Sequence, residues 1–324
     1  MLIGHQRIWN FLTQSAAKDR LAHAYLFVGP SQIGKKTLAL EFIKWLLCEK
    51  RSSQGLACGD CCSCVDIAKN QHPDVFILAP RQEEKKGVTK TFEIGIDEIK
   101  ELQHRLSLFP YSAKYKVAVI EEAAFLSREA VNSFLKTLEE PSGRSLIILT
   151  TSSWQNVLPT IISRCQLIKF LPVSQKEMVV GLQKPGVAQA RLEKIIKLSA
   201  SRPGRAIDLL AEPEILQDQQ TGVENFKKAV GADLAWRWSL AKELSRNSAS
   251  AQETLSHWLL WLRDRLLQTS GCGNLLLNEP IKDSLKYPSE KVSNLIREIQ
   301  KTQAVLNNSS FNSQLALEIL MMKI

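Results

Sequence analysis

The uninterrupted apolar run Ala24–Val28 leads directly into Gly29-Pro30-Ser31-Gln32-Ile33-Gly34-Lys35-Lys36-Thr37, and the stretch Lys35–Leu47 has helical periodicity. A strand apolar on both faces belongs inside a parallel sheet, and a glycine loop between such a strand and a helix satisfies the phosphate-loop pattern G-x-x-x-x-G-K. In that pattern backbone N–H groups and the positive end of the following helix meet phosphates, while Lys35 reaches the β and γ phosphates. The next position ordinarily supplies a Ser or Thr hydroxyl to Mg²⁺; here it is Lys36. Thr37 lies one residue further on, about 100° around the helix, and does not simply substitute. The loop therefore reads as a site for ATP or ADP with a poor Mg²⁺ position, the alternative being a glycine turn without a ligand.

The same rhythm continues through the first half. Val75–Ala79, Val117–Ile120 and Leu146–Thr151 read as buried strands, and Ile96–Leu106 and Arg128–Glu140 as helices between them. Buried strands alternating with helices imply an α/β domain with a mainly parallel sheet and ligands at the carboxyl ends of its strands. Beyond Leu171 the strand signal fades, and Pro172, Pro185-Gly186, Pro203-Gly204 and Pro213 punctuate short helical stretches. From about Asp218 the helices lengthen, as in Leu255–Gln268, Ser289–Leu306 and Asn312–Lys323, with apolar residues at helical spacing. The expected division is an α/β domain over 1–170, a small helical lid over 171–215 and an all-helical collar over 216–324. The charged stretch Arg81–Lys90 reads as a flexible loop. Of the tryptophans Trp236, Trp238, Trp258 and Trp261, helical spacing puts at least two in a core.

Two further constellations carry chemistry. Val117-Ala118-Val119-Ile120-Glu121-Glu122 is a strand ending in two carboxylates. Glu121 stands where an Asp usually holds Mg²⁺ and is one methylene longer, while Glu122 stands where a carboxylate polarises water. Solvated charges at a strand end are the alternative. The second constellation is cysteine: five of the seven lie between Cys48 and Cys64, and Cys48, Cys58, Cys61 and Cys64 run in C-x9-C-x2-C-x2-C spacing. Four thiolates suit tetrahedral Zn²⁺ and leave no open position, so the site should be structural. Cys62 leaves one assignment open to permutation, and free thiols or an iron–sulfur cluster are the other readings.

A net charge of +9 is spread over the chain and favours a polyanionic partner only weakly. The N-terminal segment MLIGHQRIWNFLTQ lacks signal-peptide character, and an apolar run of about 18 residues is missing, which places the expectation in the cytoplasm and away from membranes.

Taken together, Arg20-Leu21-Ala22-His23-Ala24-Tyr25-Leu26-Phe27, the four cysteines, Phe134-Leu135-Lys136-Thr137-Leu138-Glu139-Glu140-Pro141 and Ser163-Arg164-Cys165 resemble the clamp-loader branch of AAA+ proteins over about residues 4–210. The resemblance implies a nucleotide loop at Gly29–Thr37, a sensor at Thr150 or Thr151 and an arginine finger at Arg164 acting on a neighbouring subunit. Ser201-Arg202-Pro203-Gly204-Arg205-Ala206 resembles the second-sensor segment, with Arg205 as its charged residue. It further implies a hetero-pentameric ring with motor (gamma or tau) and delta subunits, and the sliding clamp and primer-template DNA reached through that complex. Lys35-Lys36 and Glu121-Glu122 depart from the motor subunit's pattern, so the chain resembles a non-motor member with little or no ATPase activity alone. The alternatives are a motor subunit with its own turnover and a stand-alone zinc-containing nucleic-acid-binding protein.

Overall fold

The computed structural model describes residues 2–51, 55–85, 88–141, 143–183, 189–212, 214–276, 288–306 and 311–324. Two compact units emerge, one from residues 1–81, 93–192 and 201–205, the other from 82–92, 193–200 and 206–324. The turn residues Pro185, Gly186 and Pro213 lie outside the described residues.

The first unit opens with α1 (Gln6–Ala17), β1 (Ala24–Val28), α2 (Lys35–Leu47), α3 (Cys62–Ala68) and β2 (Val75–Leu78). A hairpin of β3 (Gln82–Lys85) and β4 (Val88–Thr91), grouped with the second unit, follows. The first unit resumes with α4 (Ile96–Ser107), β5 (Lys116–Ile120), α5 (Arg128–Glu139), β6 (Ser145–Thr151), α6 (Pro159–Ile162), β7 (Gln166–Lys169) and α7 (Gln175–Leu182). Its five strands pair in the order β2-β5-β6-β1-β7, all parallel. This is an α/β fold with the expected parallel sheet.

Period-two alternation divides the sheet's side chains between two cores. Tyr25, Phe27, Val117, Val119, Leu146 and Ile148 face Leu12 of α1 and Leu38, Phe42 and Ile43 of α2. Ala24, Leu26, Ala118, Ile120, Ile147 and Leu149 face Ile99 and Leu102 of α4 and Val131, Phe134 and Leu138 of α5. Burial on both faces is why β1, β5 and β6 read as continuous apolar runs. Register then fixes the site: Val28 pairs with Thr151, and Ile120 with Leu149, so the loops after β1, β5 and β6 open at the same edge.

Several elements escaped sequence reading, α3 among them. β7 has only four residues, of which Ile168 alone is buried, so no apolar run announces it. α1 lies ahead of the first strand. The stretch Arg81–Lys90 is not a plain loop: Gln82 pairs with Thr91 and Lys85 with Val88 in an antiparallel ladder, because backbone groups form the pairing whatever the side-chain charge. Lys86 and Gly87 lie outside the described residues.

The second unit continues through the later parts of α8 (Gln189–Leu198) and α9 (Pro203–Ala211) into α10 (Glu214–Gly231), α11 (Leu234–Leu244), α12 (Ser248–Thr269), α13 (Ser289–Leu306) and α14 (Ser313–Lys323). Phe226, Trp258 and Trp261 centre its core, with ring centroids 5.0 and 5.6 Å from Phe226. Trp258 Nε1 donates to Gly222 O at 2.8 Å, which satisfies the indole in a dry site. Trp238, by contrast, is exposed. Among the described residues, no helix is long and apolar enough to cross a membrane.

Asp74, just before β2, is fully buried and ties the α4–β5 connection to the sheet. Its carboxylate accepts from the amides of Tyr111 (2.8 Å), Ser112 (2.8 Å) and Ala113 (3.0 Å), and Lys116 Nζ lies 3.8 Å away. Burial alone would raise its pKa, but these amides and Lys116 outweigh burial and hold the carboxyl below its usual range. A depressed pKa contributes stability above the unfolded value, near 4, that is lost as pH falls through the folded value. Asp74→Asn should cost about 3–5 kcal/mol in urea unfolding at pH 7, since it leaves Lys116 buried without its anion. The variant should also lose less stability than the wild type on acidification below about pH 4, by the share that Asp74 contributes.

Candidate functional site

The loop after β1 curls through left-handed conformations at Gln32 (φ 61°) and Gly34 (φ 104°), then enters α2 at Lys35. Gly34 supplies the positive φ at little cost, which turns the first amides of α2 toward the loop. Ile33 is buried beneath it, while Pro30, Ser31, Gln32, Lys36 and Thr37 are exposed. His5, which sequence reading did not single out, braces the loop: its Nε2 lies 2.9 Å from Ile33 O and its ring 4.7 Å from Phe170. Burial lowers the His5 pKa, against smaller opposing effects of the Ile33 carbonyl and Glu177.

Lys35 is folded back into this loop. Its Nζ donates to Gly29 O at 2.5 Å and Pro30 O at 3.0 Å and lies 3.7 Å from Glu122 Oε1. Burial pulls its pKa down, and Glu122 partly offsets that. Lys36 points elsewhere: its Nζ sits 2.7 Å from Glu121 Oε1. Both carboxylates of the β5 end are thus engaged by the two loop lysines. The hydroxyl of Thr37 falls on the exposed side of the first turn.

The two threonines separate clearly. Thr150 Oγ1 accepts from the Glu122 amide at 3.2 Å, whereas Thr151 Oγ1 is used locally with Ser153. Thr150 is therefore the one joined to the site. Glu122 adopts a left-handed backbone (φ 46°), and its Oε2 accepts from the Ser152 amide at 2.9 Å, a partner no sequence pattern announces.

Gly204 brings the Ser201–Arg205 segment onto the same loop. Its amide donates to Gln32 O at 2.9 Å, and a Cβ there would sit 2.8 Å from that oxygen, so only glycine permits the approach. The adjacent Arg205 is buried.

Arg164 lies just past α6. Its Nε donates to Glu139 Oε1 at 2.9 Å, a second nitrogen also bonds that oxygen, and a third donates to Thr160 O and Ser163 Oγ at 3.1 Å each. These partners belong to the ends of α5 and α6. Among the described residues, Arg164 makes no hydrogen bond or ion pair with Gly29–Thr37.

The cysteine cluster forms where α2 ends and α3 begins. The Sγ atoms of Cys48, Cys58, Cys61 and Cys64 all lie within 4.8 Å of one another, with Cys48–Cys58 at 3.5 Å, Cys58–Cys64 at 3.9 Å and Cys48–Cys61 at 4.0 Å. Tetrahedral zinc with Zn–S near 2.3 Å requires sulfurs about 3.8 Å apart, so the donor set fits a metal such as zinc. Backbone amides of Cys58 and Cys61 donate to Sγ of Cys48 and Cys58 at 3.3 Å each. The amides of Cys61 and Asp60 pull the Cys58 thiol down to about 6, while burial pushes Cys64 up. Cys62 is exposed and outside the cluster, which removes the permutation left open by spacing.

The family model described as "DNA polymerase III, delta subunit" matches residues 4–174. A DNA polymerase III subunit delta' of Pseudomonas aeruginosa is 33% identical over 232 residues, 71% of this chain and 67% of that protein. A subunit delta' of Bacillus subtilis is 30% identical over 221 residues, covering 68% of this chain and 64% of the relative. A subunit tau of the same organism is 29% identical over 266 residues, 80% of this chain but 45% of the longer relative.

Proposed function

The chain belongs to the DNA polymerase III delta-subunit family, and from that premise we propose that it serves as a delta-prime-type subunit of the clamp loader that places the sliding clamp on primed DNA. The observation that carries this reading is the Lys36–Glu121 contact: an ammonium stands 2.7 Å from the carboxylate where a motor subunit would hold Mg²⁺. A chain so altered supports hydrolysis rather than performing it. Its contribution is Arg164, offered to the γ phosphate bound by an adjacent motor subunit, in a ring with gamma or tau and delta subunits closed by the helical region 216–324.

Nucleotide, when bound, is cradled by the Gly29–Thr37 amides and Lys35, with Thr150 and Arg205 as the two sensors. Glu122 is a vestigial base, since its oxygens are taken by Lys35 and the Ser152 amide. Cys48, Cys58, Cys61 and Cys64 hold zinc, which in a closed four-thiolate site supplies folding energy and no catalysis. Residues 171–215 act as the lid.

Two measurements test the reading together. The purified chain should co-elute with its cognate motor and delta subunits, and alone it should turn ATP over well below about 1 s⁻¹, the lower end of ordinary enzymes. Turnover by the isolated chain at that rate or above, or failure to join the ring, would replace this reading with the motor or stand-alone alternatives.

A further inference from the structure

Lys36 does more than lack a hydroxyl. Its ammonium lies 2.7 Å from Glu121 Oε1, an oxygen buried from solvent that receives no aligned hydrogen bond. The cation facing that carboxylate is therefore already part of the chain. Mg²⁺ demands near-octahedral oxygens at about 2.0–2.1 Å and would have to share this place with a fixed positive charge. The residues present do not fit the metal.

They do fit a phosphate chain without it. The Lys36 side chain is half exposed, so its ammonium keeps donors free for a second anion while holding Glu121. Lys35, the loop amides and the N-terminal end of α2 supply the remaining positive character. From this arrangement we infer that the Gly29–Thr37 loop binds metal-free nucleoside di- or triphosphate, with the Lys36 ammonium standing where Mg²⁺ stands in a motor subunit. Bound this way, nucleotide is a structural ligand: no metal bridges its β and γ oxygens to promote transfer. The inference rests on the proposed reading of Gly29–Thr37 as a nucleotide loop.

The experiment titrates the full-length chain with a fluorescent ADP and with ATP, once in excess Mg²⁺ and once in EDTA. Wild type should bind equally well or more tightly in EDTA. Lys36→Met, which keeps length and removes the charge, should weaken EDTA binding by about tenfold or more, the worth of one hydrogen bond to a charged group. Lys36→Thr should make binding Mg²⁺-dependent, because a hydroxyl replaces the ammonium and Glu121 is released. Wild-type binding ten times tighter in Mg²⁺ than in EDTA would overturn the inference and leave the nucleotide loop standing. Absence of binding in both buffers would overturn the loop reading and the inference with it, whatever the outcome of ring assembly.

Discussion

Arg164→Ala in a reconstituted ring should slow ATP hydrolysis at the neighbouring motor site by roughly 10³–10⁵-fold, the range over which arginine fingers act. In the proposed role the guanidinium would neutralise charge that develops on the transferred phosphoryl group, and only in the transition state. Because other sites in the ring keep their own fingers, the total rate of the complex should fall less than this single-site figure. Folding, zinc content and assembly should be unchanged, since among the described residues Arg164 bonds to the ends of α5 and α6 at the surface. Arg164→Lys should rescue poorly. In the resting chain three nitrogens of the planar fork are already placed, two on Glu139 and one on Thr160 O and Ser163 Oγ, and an ammonium cannot reproduce that preorganisation. The assay compares single-turnover hydrolysis and clamp loading of rings built with each variant; native rates with Ala at this position would remove Arg164 from the mechanism.

Losing the zinc proposed for the four-cysteine cluster should be the largest effect on stability. Structural zinc contributes roughly 10–16 kcal/mol to isolated zinc-finger peptides, which have little other core. Here the cluster adjoins a well-packed sheet, with α2 carrying Phe42 and Ile43 into one core and Cys48 at its end, so the loss should be smaller yet still several kcal/mol. Cys61→Ser should lower zinc from one ion per chain to near none, lower the thermal midpoint, and make the protein insensitive to chelator. Cys62→Ser is the internal control, because that thiol is exposed and lies outside the cluster. Full zinc content in the Cys61 variant, or its loss in the Cys62 variant, would mean that the ligand set is wrong.

Much of this protein is written locally. The strands β1, β5 and β6 are buried on both faces, so each shows as an apolar run of four or more residues in any reading of the chain. The loop Gly29–Thr37 and the C-x9-C-x2-C-x2-C spacing are equally visible, because phosphate and zinc sites demand particular residue types at short, fixed intervals. Even the departure from a motor site is legible at Lys36 and Glu121. What the sequence could not decide are contacts between residues far apart in the chain. Cys62 is excluded from the four-cysteine cluster because α3 leaves it exposed. Thr150 rather than Thr151 joins the site because the β6 register points its hydroxyl at the Glu122 amide. Asp74 becomes the anchor of Tyr111–Ala113, and Glu139 the holder of Arg164, through partners 25 to 39 positions away. Spacing fixes a residue's neighbours along one helix or loop. The packing of helices on the sheet decides which distant charge each one meets, and so turned Lys36 from a missing hydroxyl into a cation facing Glu121.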